Sequence, residues 1–108
     1  MDQHKVIFSK LDWENPQSDV RYRKYRSGGK RLRLVVFDKS FEEQYWCLTG
    51  HIGLVIKGEI EIDFNGNVVH YEAGNAIFIL PGEAHKHKVK AVSDQAIIFL
   101  VEDVNDES

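Results

Sequence analysis

Turn-forming residues interrupt this chain at short intervals, so its elements of secondary structure must be short. Asn65-Gly66 is the dipeptide favoured in a two-residue hairpin turn, where both central residues need positive φ. Further glycine turns stand at 27–29, 58–59 and 73–75. Between the turns, apolar or alternating runs typical of strands recur, and no long run shows capped helical spacing. The pattern predicts an all-β fold of antiparallel strands, a sandwich or a barrel of jelly-roll type.

The predicted strands share short length and a high content of apolar residues. Segment 20–37 is predicted to be a basic hairpin, and 60–64 alternates apolar and acidic residues strictly. The other predicted strands are 6–8, 41–47, 51–57, 67–71, 76–80, 85–92 and 96–101. We expect one domain, in which 1–40 supplies N-terminal strands, 41–101 forms the core and 102–108 is an acidic tail. An immunoglobulin-like sandwich is disfavoured because its paired cysteines are missing.

Composition narrows the class of protein. A net charge of −3 gives no general attraction to nucleic acid or to anionic membranes, so we expect neither as a partner. Basic residues and two tyrosines concentrate at 20–37, a pattern that nucleic-acid-binding hairpins share, but charged residues on the wet face of a sheet are far commoner. No apolar run approaches the roughly 20 residues of a membrane helix. One cysteine and no secretory signal layout favour the cytoplasm.

The stretch from 45 to 58 concentrates the residues that carry chemistry. Tyr45, Cys47 and His51 share parity, so in an extended chain their side chains project to one face. The strand after His51 is apolar on both faces, which is typical of the inside of a sandwich or barrel. A thiol, an imidazole and a phenol that face such an interior indicate a pocket for a metal ion or a small molecule.

Two motifs resemble those of the cupin superfamily, whose small jelly-roll barrels hold a metal ion inside. Tyr45-x-Cys47-x3-His51-x6-Gly58 keeps the spacing of the first motif, H-x-H-x3–4-E-x6-G, and changes all three ligand types. Of the second motif, G-x5-P-x-G-x2-H-x3-N, the fitting positions are Gly74, Gly82 and His85. The order Tyr45-Trp46-Cys47 is also similar to a subgroup of single-domain cupins with an Asp-His-Trp-Cys signature. The resemblance spans about 41–101 and implies a single-domain jelly-roll barrel with an internal metal.

Cys47, His51 and His85 are the candidate metal ligands. His85 occupies the position at which the resemblance implies a second-motif ligand. A thiolate and two imidazoles form a sensible zinc site with one open position, and iron, nickel or copper accept the same donors. The alternatives are a small buried hydrophobe for Cys47, a satisfied core imidazole for His51 and a solvent-facing strand residue for His85.

Tyr45 and His87 are the candidate proton-transfer residues. His87 shares parity with His85 and could line the same pocket, whereas Tyr45 could equally be an aromatic residue of the barrel wall. A tyrosine is a weak metal ligand near neutral pH because its pKa is about 10.

The sequence is compatible with three functions. The first is a metal-binding cupin that acts on a small polar metabolite, and the second is a metal-free ligand-binding or sensor module. The third is a metal-independent sugar isomerase or epimerase that uses a His-Tyr pair. The resemblance also implies a homodimer, for which the apolar segment 6–8 is a candidate exchanged strand.

Overall fold

The computed structural model describes residues 4–104 and contains almost only strands. The strands are β1 (Glu14–Gln17), β2 (Val20–Ser27), β3 (Lys30–Asp38), β4 (His51–Lys57), β5 (Glu59–Phe64), β6 (Asn67–Glu72), β7 (Ala76–Ile79), β8 (Lys88–Ala91) and β9 (Gln95–Asp103). Two short 3-10 helices span Phe8–Lys10 and Glu83–His85. Within 4–104, no helix is long and apolar enough to cross a membrane.

Two antiparallel sheets enclose a single apolar core. One sheet has the strand order β1-β2-β3-β9-β4-β7 and the other β6-β5-β8. Their inward faces supply the most deeply buried side chains, among them Val55 and Ile98 from the larger sheet and Ile60 and Ile62 from the smaller. The predicted all-β jelly-roll barrel is confirmed.

The predicted turns lie where the sequence places them. Gly28 and Gly29 both have positive φ and connect β2 to β3, whose register runs unbroken from Ser27↔Lys30. Asn65 and Gly66 have φ values of 54° and 104° and connect β5 to β6. Both connections use residues that tolerate the left-handed region at low cost.

Most of the basic side chains of the hairpin β2–β3 form contacts with other residues of the protein. Arg21 and Arg23 stack on the Trp13 ring, with 5.0 and 4.1 Å between guanidinium carbon and ring centroid. Ion pairs join Lys24 to Glu14, Lys30 to Asp103, and both Arg31 and Arg33 to Glu102.

The N-terminal segment differs from its prediction. Residues 6–8 form no strand, and Phe8 begins a 3-10 helix instead. Side-chain contacts hold this helix on the sheet: the Phe8 ring packs edge-on against Phe99, and Arg23 donates a 2.8 Å hydrogen bond to the Phe8 carbonyl. Strand β1 begins at Glu14, in a segment where the sequence predicts no strand.

The two segments next to the predicted site are also less regular than expected. Residues 41–47 form isolated bridges at Glu42 and Cys47 in place of a continuous strand. The strand predicted at 85–92 is shortened to β8 because the preceding residues turn in the second 3-10 helix. Conversely, β9 continues past Val101 to Asp103, so the predicted acidic tail begins inside the sheet, and 105–108 lie outside the described residues.

Gly53 allows the backbones of the neighbouring strands β4 and β9 to lie close together. A β-carbon at this position would overlap the Phe99 carbonyl oxygen, which is backbone and cannot move aside independently. We therefore expect Gly53→Ala to lower the free energy of unfolding by about 3 kcal/mol, the upper range for overpacking a core. Urea denaturation would measure the change.

Gly28→Ala is the matched control for that measurement. Gly28 has a φ of +58°, and no atom lies within 4 Å of the position that a β-carbon would take, so only backbone strain of about 1 kcal/mol is expected. Equal losses for the two variants would contradict the steric account of Gly53.

Candidate metal centre

Cys47, His51 and His87 place their ligand atoms within 4.8 Å of one another. Cys47 lies opposite His87 in an isolated bridge, with backbone hydrogen bonds of 2.8 and 3.1 Å that run both ways. His51 is the first residue of β4. Both imidazoles are buried, with 8% of His51 and 0% of His87 exposed, and Cys47 is half-buried. Strand β4 and the bridged pair therefore present three donors to one point inside the barrel.

The separation of Cys47 and His51 fits two ligands of one transition metal ion, and His87 lies within 4.8 Å of both. Zinc–sulfur and zinc–nitrogen bonds of about 2.3 and 2.0–2.1 Å at a tetrahedral angle separate the two ligand atoms by about 3.6 Å. The distance from Cys47 Sγ to His51 Nε2 is 3.6 Å. His87 Nε2 is buried and makes no hydrogen bond of standard geometry with any described residue, although the ring interacts with the Cys47 sulfur. A buried nitrogen without a partner is costly, and a metal bond would satisfy it.

The other nitrogen of each imidazole is held by a hydrogen bond that fixes the orientation of the ring. His51 Nδ1 lies 2.5 Å from Glu102 Oε2, and His87 Nδ1 donates a 3.0 Å hydrogen bond to the His85 carbonyl oxygen. A carboxylate or carbonyl behind a histidine ligand selects the tautomer whose Nε2 lone pair is available to a metal. Both rings are thus set to bind through Nε2.

Glu102 is a completely buried carboxylate that connects β9 to β3 and β4. Its Oε1 accepts 2.8 Å hydrogen bonds from Arg31 Nε and Arg33 Nε, and its Oε2 accepts one of 2.6 Å from Arg33 Nη2. Burial alone raises its pKa, but the hydrogen bonds from His51 and Arg33 and their positive charges outweigh it and hold the pKa well below its usual range. Glu102 is ionised and fully paired.

Cys47 and His51 form an ion pair at neutral pH when no metal is bound. Burial opposes both charges, but interactions with His51, His87 and the Thr49 backbone N–H lower the pKa of Cys47 to about 5. Interactions with Cys47 and Glu102 in turn raise the pKa of His51 to about 9. A thiolate is the form of cysteine that binds metals, and binding would release the proton of the imidazolium.

His87 shows the same balance. Burial acts to lower its pKa, and the nearby Cys47 sulfur and the His85 carbonyl raise it by more.

The structure brings together Cys47 and His51 as expected and places His87 beside them in place of His85. His85 is exposed in the second 3-10 helix and contributes its backbone carbonyl instead of its ring. The backbone is extended after His85, so side chains two residues apart share a face. His87 therefore faces inward together with Val89. Tyr45 is 84% exposed and lies outside the cluster, because irregular backbone at 41–49 breaks the alternation on which its placement rested. The roles of all five residues remain predictions.

Two acidic residues near the cluster were not predicted. Glu102 falls in the segment assigned to the tail, yet the inward alternation of Ala96, Ile98 and Leu100 continues to it. Glu43 accepts a 2.9 Å hydrogen bond from the Val89 N–H through Oε1, and burial above all raises its pKa. Because the backbone at 41–49 is irregular, no local pattern marks Glu43 as inward-facing.

A cavity of about 220 Å³ lies in the barrel beside the cluster and reaches it at His51. Its polar lining consists of Gln17, Tyr22, Arg33, Glu43 and His51. The rest of the lining is apolar: Pro16, Val20, Val35, Phe37, Phe41, Ile60, Ile62, Ile77, Ile79, Val89, Ile98 and Leu100. The cluster and the cavity together have the arrangement of a ligand pocket with a metal centre at its edge.

Comparison with known proteins agrees with this architecture. Residues 49–101 match the Cupin_2 family, described as Cupin domain. No curated protein matches the chain at a significant level. The family match identifies the chain as a small member of the cupin superfamily, and the solved structures below agree with it in fold.

Three solved structures illustrate the similarity of fold. An RmlC-like cupin from Shewanella frigidimarina NCIMB 400 is 16% identical, with a TM-score of 0.77 over 97% of this chain and 94% of that one. KdgF from a Halomonas species is 19% identical, with a TM-score of 0.74 over 94% and 95%. The polyketide cyclase RemF from Streptomyces resistomycificus is 15% identical, with a TM-score of 0.76 over 96% and 81%. At these identities the likeness concerns the fold alone.

Removing the charge of Glu102 is expected to destabilise the fold. Glu102→Gln leaves two guanidinium groups and His51 without their buried anion, so we expect a loss of about 3 kcal/mol in the free energy of unfolding. Urea denaturation at neutral pH would measure it.

Glu59→Gln provides the control, since the ion pair of Glu59 with His70 is about half exposed. That variant should lose less than about 1 kcal/mol. A loss for Glu102→Gln no larger than the control would show that the buried network contributes little.

Proposed function

We propose that this chain is a metal-binding cupin in which Cys47, His51 and His87 hold one divalent transition metal ion and a small polar metabolite binds beside it in the barrel. The observation that carries the proposal is the fully buried Nε2 of His87, which makes no hydrogen bond of standard geometry with any described residue and lies close to a thiol–imidazole pair at tetrahedral ligand spacing. The proposal replaces the expected ligand His85 by His87.

The donor set favours zinc among the candidate metals. Thiolate is a soft ligand and imidazole a borderline one, a combination common in zinc sites with an open position. Iron, nickel and copper share these donors and stay as alternatives.

The protein residues around the ion would each have a defined task. A bound divalent ion would supply Lewis-acid chemistry at its open position. Glu102 would keep the His51 ring in its binding orientation, as the His85 carbonyl does for His87. Glu43 lines the cavity with a raised pKa, so its free carboxyl oxygen is suited to take a proton from a bound metabolite or return it. We place the protein in the cytoplasm, where a free thiol stays reduced.

Metal content distinguishes the two histidines. Untagged wild-type protein loaded with zinc should contain close to one equivalent, and Cys47→Ser and His87→Ala should each lower the affinity by more than about tenfold because one of three ligands is lost. Elemental analysis after dialysis would measure this.

His85→Ala is the matched control, because its ring is exposed while its carbonyl remains in place. The variant should keep the wild-type metal content. Equal losses for His85→Ala and His87→Ala, or a wild type that stays empty when offered zinc, iron, nickel and copper, would overturn the proposal.

The second candidate function is a metal-free ligand-binding module. It is favoured by the Cys47–His51 ion pair, which balances the charges of the site without an added cation. In this case, chelated wild-type protein would bind its ligand as tightly as metal-loaded protein. A sugar isomerase or epimerase that relies on Tyr45 is less favoured, since that side chain is exposed outside the cluster.

We also propose that the protein is a homodimer. Ile52, Leu54, Ile56, Phe78 and Leu80 are exposed on the outward face of β4, β7 and the residue that follows it. Exposed apolar patches of a few hundred Å² mark interaction sites. A second copy is the partner this patch fits, because it carries no charge that would repel its own image across a two-fold axis.

Light scattering after size exclusion would test the dimer. Phe78→Lys should produce monomers, because a lysine in this patch would be buried in the dimer without a partner. Val68→Lys changes another exposed apolar residue, on the smaller sheet, and should leave the dimer intact. Monomeric wild-type protein at all concentrations would refute the assignment.

A further inference from the structure

The strand register divides the cavity into a polar end and an apolar half. In the ladder between β3 and β9, Arg31 pairs with Glu102 and Arg33 with Leu100, whereas Val35 pairs with Ile98 further along. His51 lies at the polar end, since its Nδ1 contacts Glu102.

The facing sheet repeats this division. His87 enters from the same end as His51, and the next inward residues along β8 and β5 are apolar. Val89 pairs with Ile62, and Ala91 pairs with Ile60. A ligand that fills the cavity therefore has one end among charged groups and the remainder mainly among apolar side chains, with Tyr22 and Glu43 as polar neighbours.

The apolar half disfavours a polyhydroxylated ligand. Val35, Ile60, Ile62 and Ile98 have no side-chain donor or acceptor. The Tyr22 hydroxyl beside Val35 and the Glu43 carboxyl beside Val89 can satisfy few of the hydroxyl groups of a sugar, and the others would lose their bonds to water without replacement. Each such hydroxyl would lower the affinity by about tenfold or more. Methylene groups in the same positions would gain affinity.

The polar end favours an anionic group. Arg31 and Arg33 together exceed the single charge of Glu102, and a divalent ion would exceed the single charge of the Cys47 thiolate. Glu43, the acidic residue of the cavity lining, offsets one of these excess charges at most. A positive excess thus remains, and it suits a carboxylate.

The cavity volume sets the size of the ligand. At about 30 Å³ for each water-sized group, 220 Å³ accommodates about seven non-hydrogen atoms. A carboxylate group and a chain or ring that brings the total to about five or six carbons fill that space.

From these observations we propose that the metabolite is a small carboxylic acid with a compact apolar body and not a sugar or sugar acid. Its carboxylate lies at the end formed by Arg33 and His51, and its apolar body lies against Val35, Ile62 and Ile98. The metal ion beside the carboxylate is taken from the proposed function, on which this assignment rests. The assignment adds the chemical class of the ligand.

A homologous series of acids tests the proposal directly. Full-length protein loaded with zinc would be titrated calorimetrically with straight-chain acids from acetate to octanoate. Affinity should rise about fourfold for each added methylene, up to five or six carbons, and then fall for octanoate as the cavity is exceeded. Affinities that do not depend on chain length would overturn the proposal.

Two further ligands separate the contributions of body and head group. Threonate carries the same carboxylate on a body of similar size with hydroxyl groups and should bind more than about tenfold more weakly than hexanoate. Hexanol keeps the apolar body without the charge and should also bind more weakly. Threonate that binds as tightly as hexanoate would overturn the proposal.

Conservative variants locate the binding site. Val35→Ile removes about one methylene of space and should shift the optimum to a shorter chain, whereas Ile62→Val should shift it to a longer one. Val36→Ile is the control, because Val36 is equally buried but on the opposite face of β3. An equal shift in the control, or none in Val35→Ile and Ile62→Val, would place the ligand elsewhere.

Metal analysis of the titrated samples separates failure of this proposal from failure of the metal site. Zinc-loaded protein without chain-length dependence overturns the ligand class and leaves the metal site standing. Protein that takes up no metal overturns the proposed function, and the same titration on that protein then decides the ligand class, since the apolar half needs no metal. There too, a rise with chain length supports the proposal and a flat response refutes it.

Discussion

The buried carboxylate of Glu102 is the interaction on which the site depends. It has no exposed surface, so its charge is tolerated only because two arginines and one histidine satisfy its oxygens. Those partners come from β3 and β4, on either side of β9, so one side chain fixes three neighbouring strands at the level of the cluster. The same carboxylate sets the tautomer of His51 and thereby decides which nitrogen faces Cys47.

The choice of the second histidine is a consequence of local backbone. A 3-10 helix at Glu83–His85 delays the start of β8, which turns the His85 ring outward and leaves its carbonyl facing His87. The bridge between Cys47 and His87 then brings these two residues side by side. The motif match places His85 at a ligand position by its spacing along the chain alone. Which histidine ring faces the interior depends instead on where the extended backbone of β8 begins.

The charges of the site and the apolar cavity follow from one arrangement of the strands. Residues near Glu102 are charged or belong to the candidate metal site, and the inward residues farther along β3 and β9 are apolar. Low polarity strengthens the interactions of Cys47 and His51 with each other, which is why their pKa values move in opposite directions despite burial. The site therefore combines a charged end with an apolar chamber in a domain of 108 residues.

The sequence by itself determined the all-β class, the hairpin turns and the stretch that supplies Cys47 and His51. Alternation within a strand and positive φ at Asn65-Gly66 are local properties, so they can be read without knowledge of the fold. Only the tertiary structure decided that His87 joins the cluster, that Tyr45 faces solvent and that Glu102 belongs to the site. Arg31 and Arg33 stand 71 and 69 residues before Glu102, and no local pattern specifies contacts between strands so far apart in the chain.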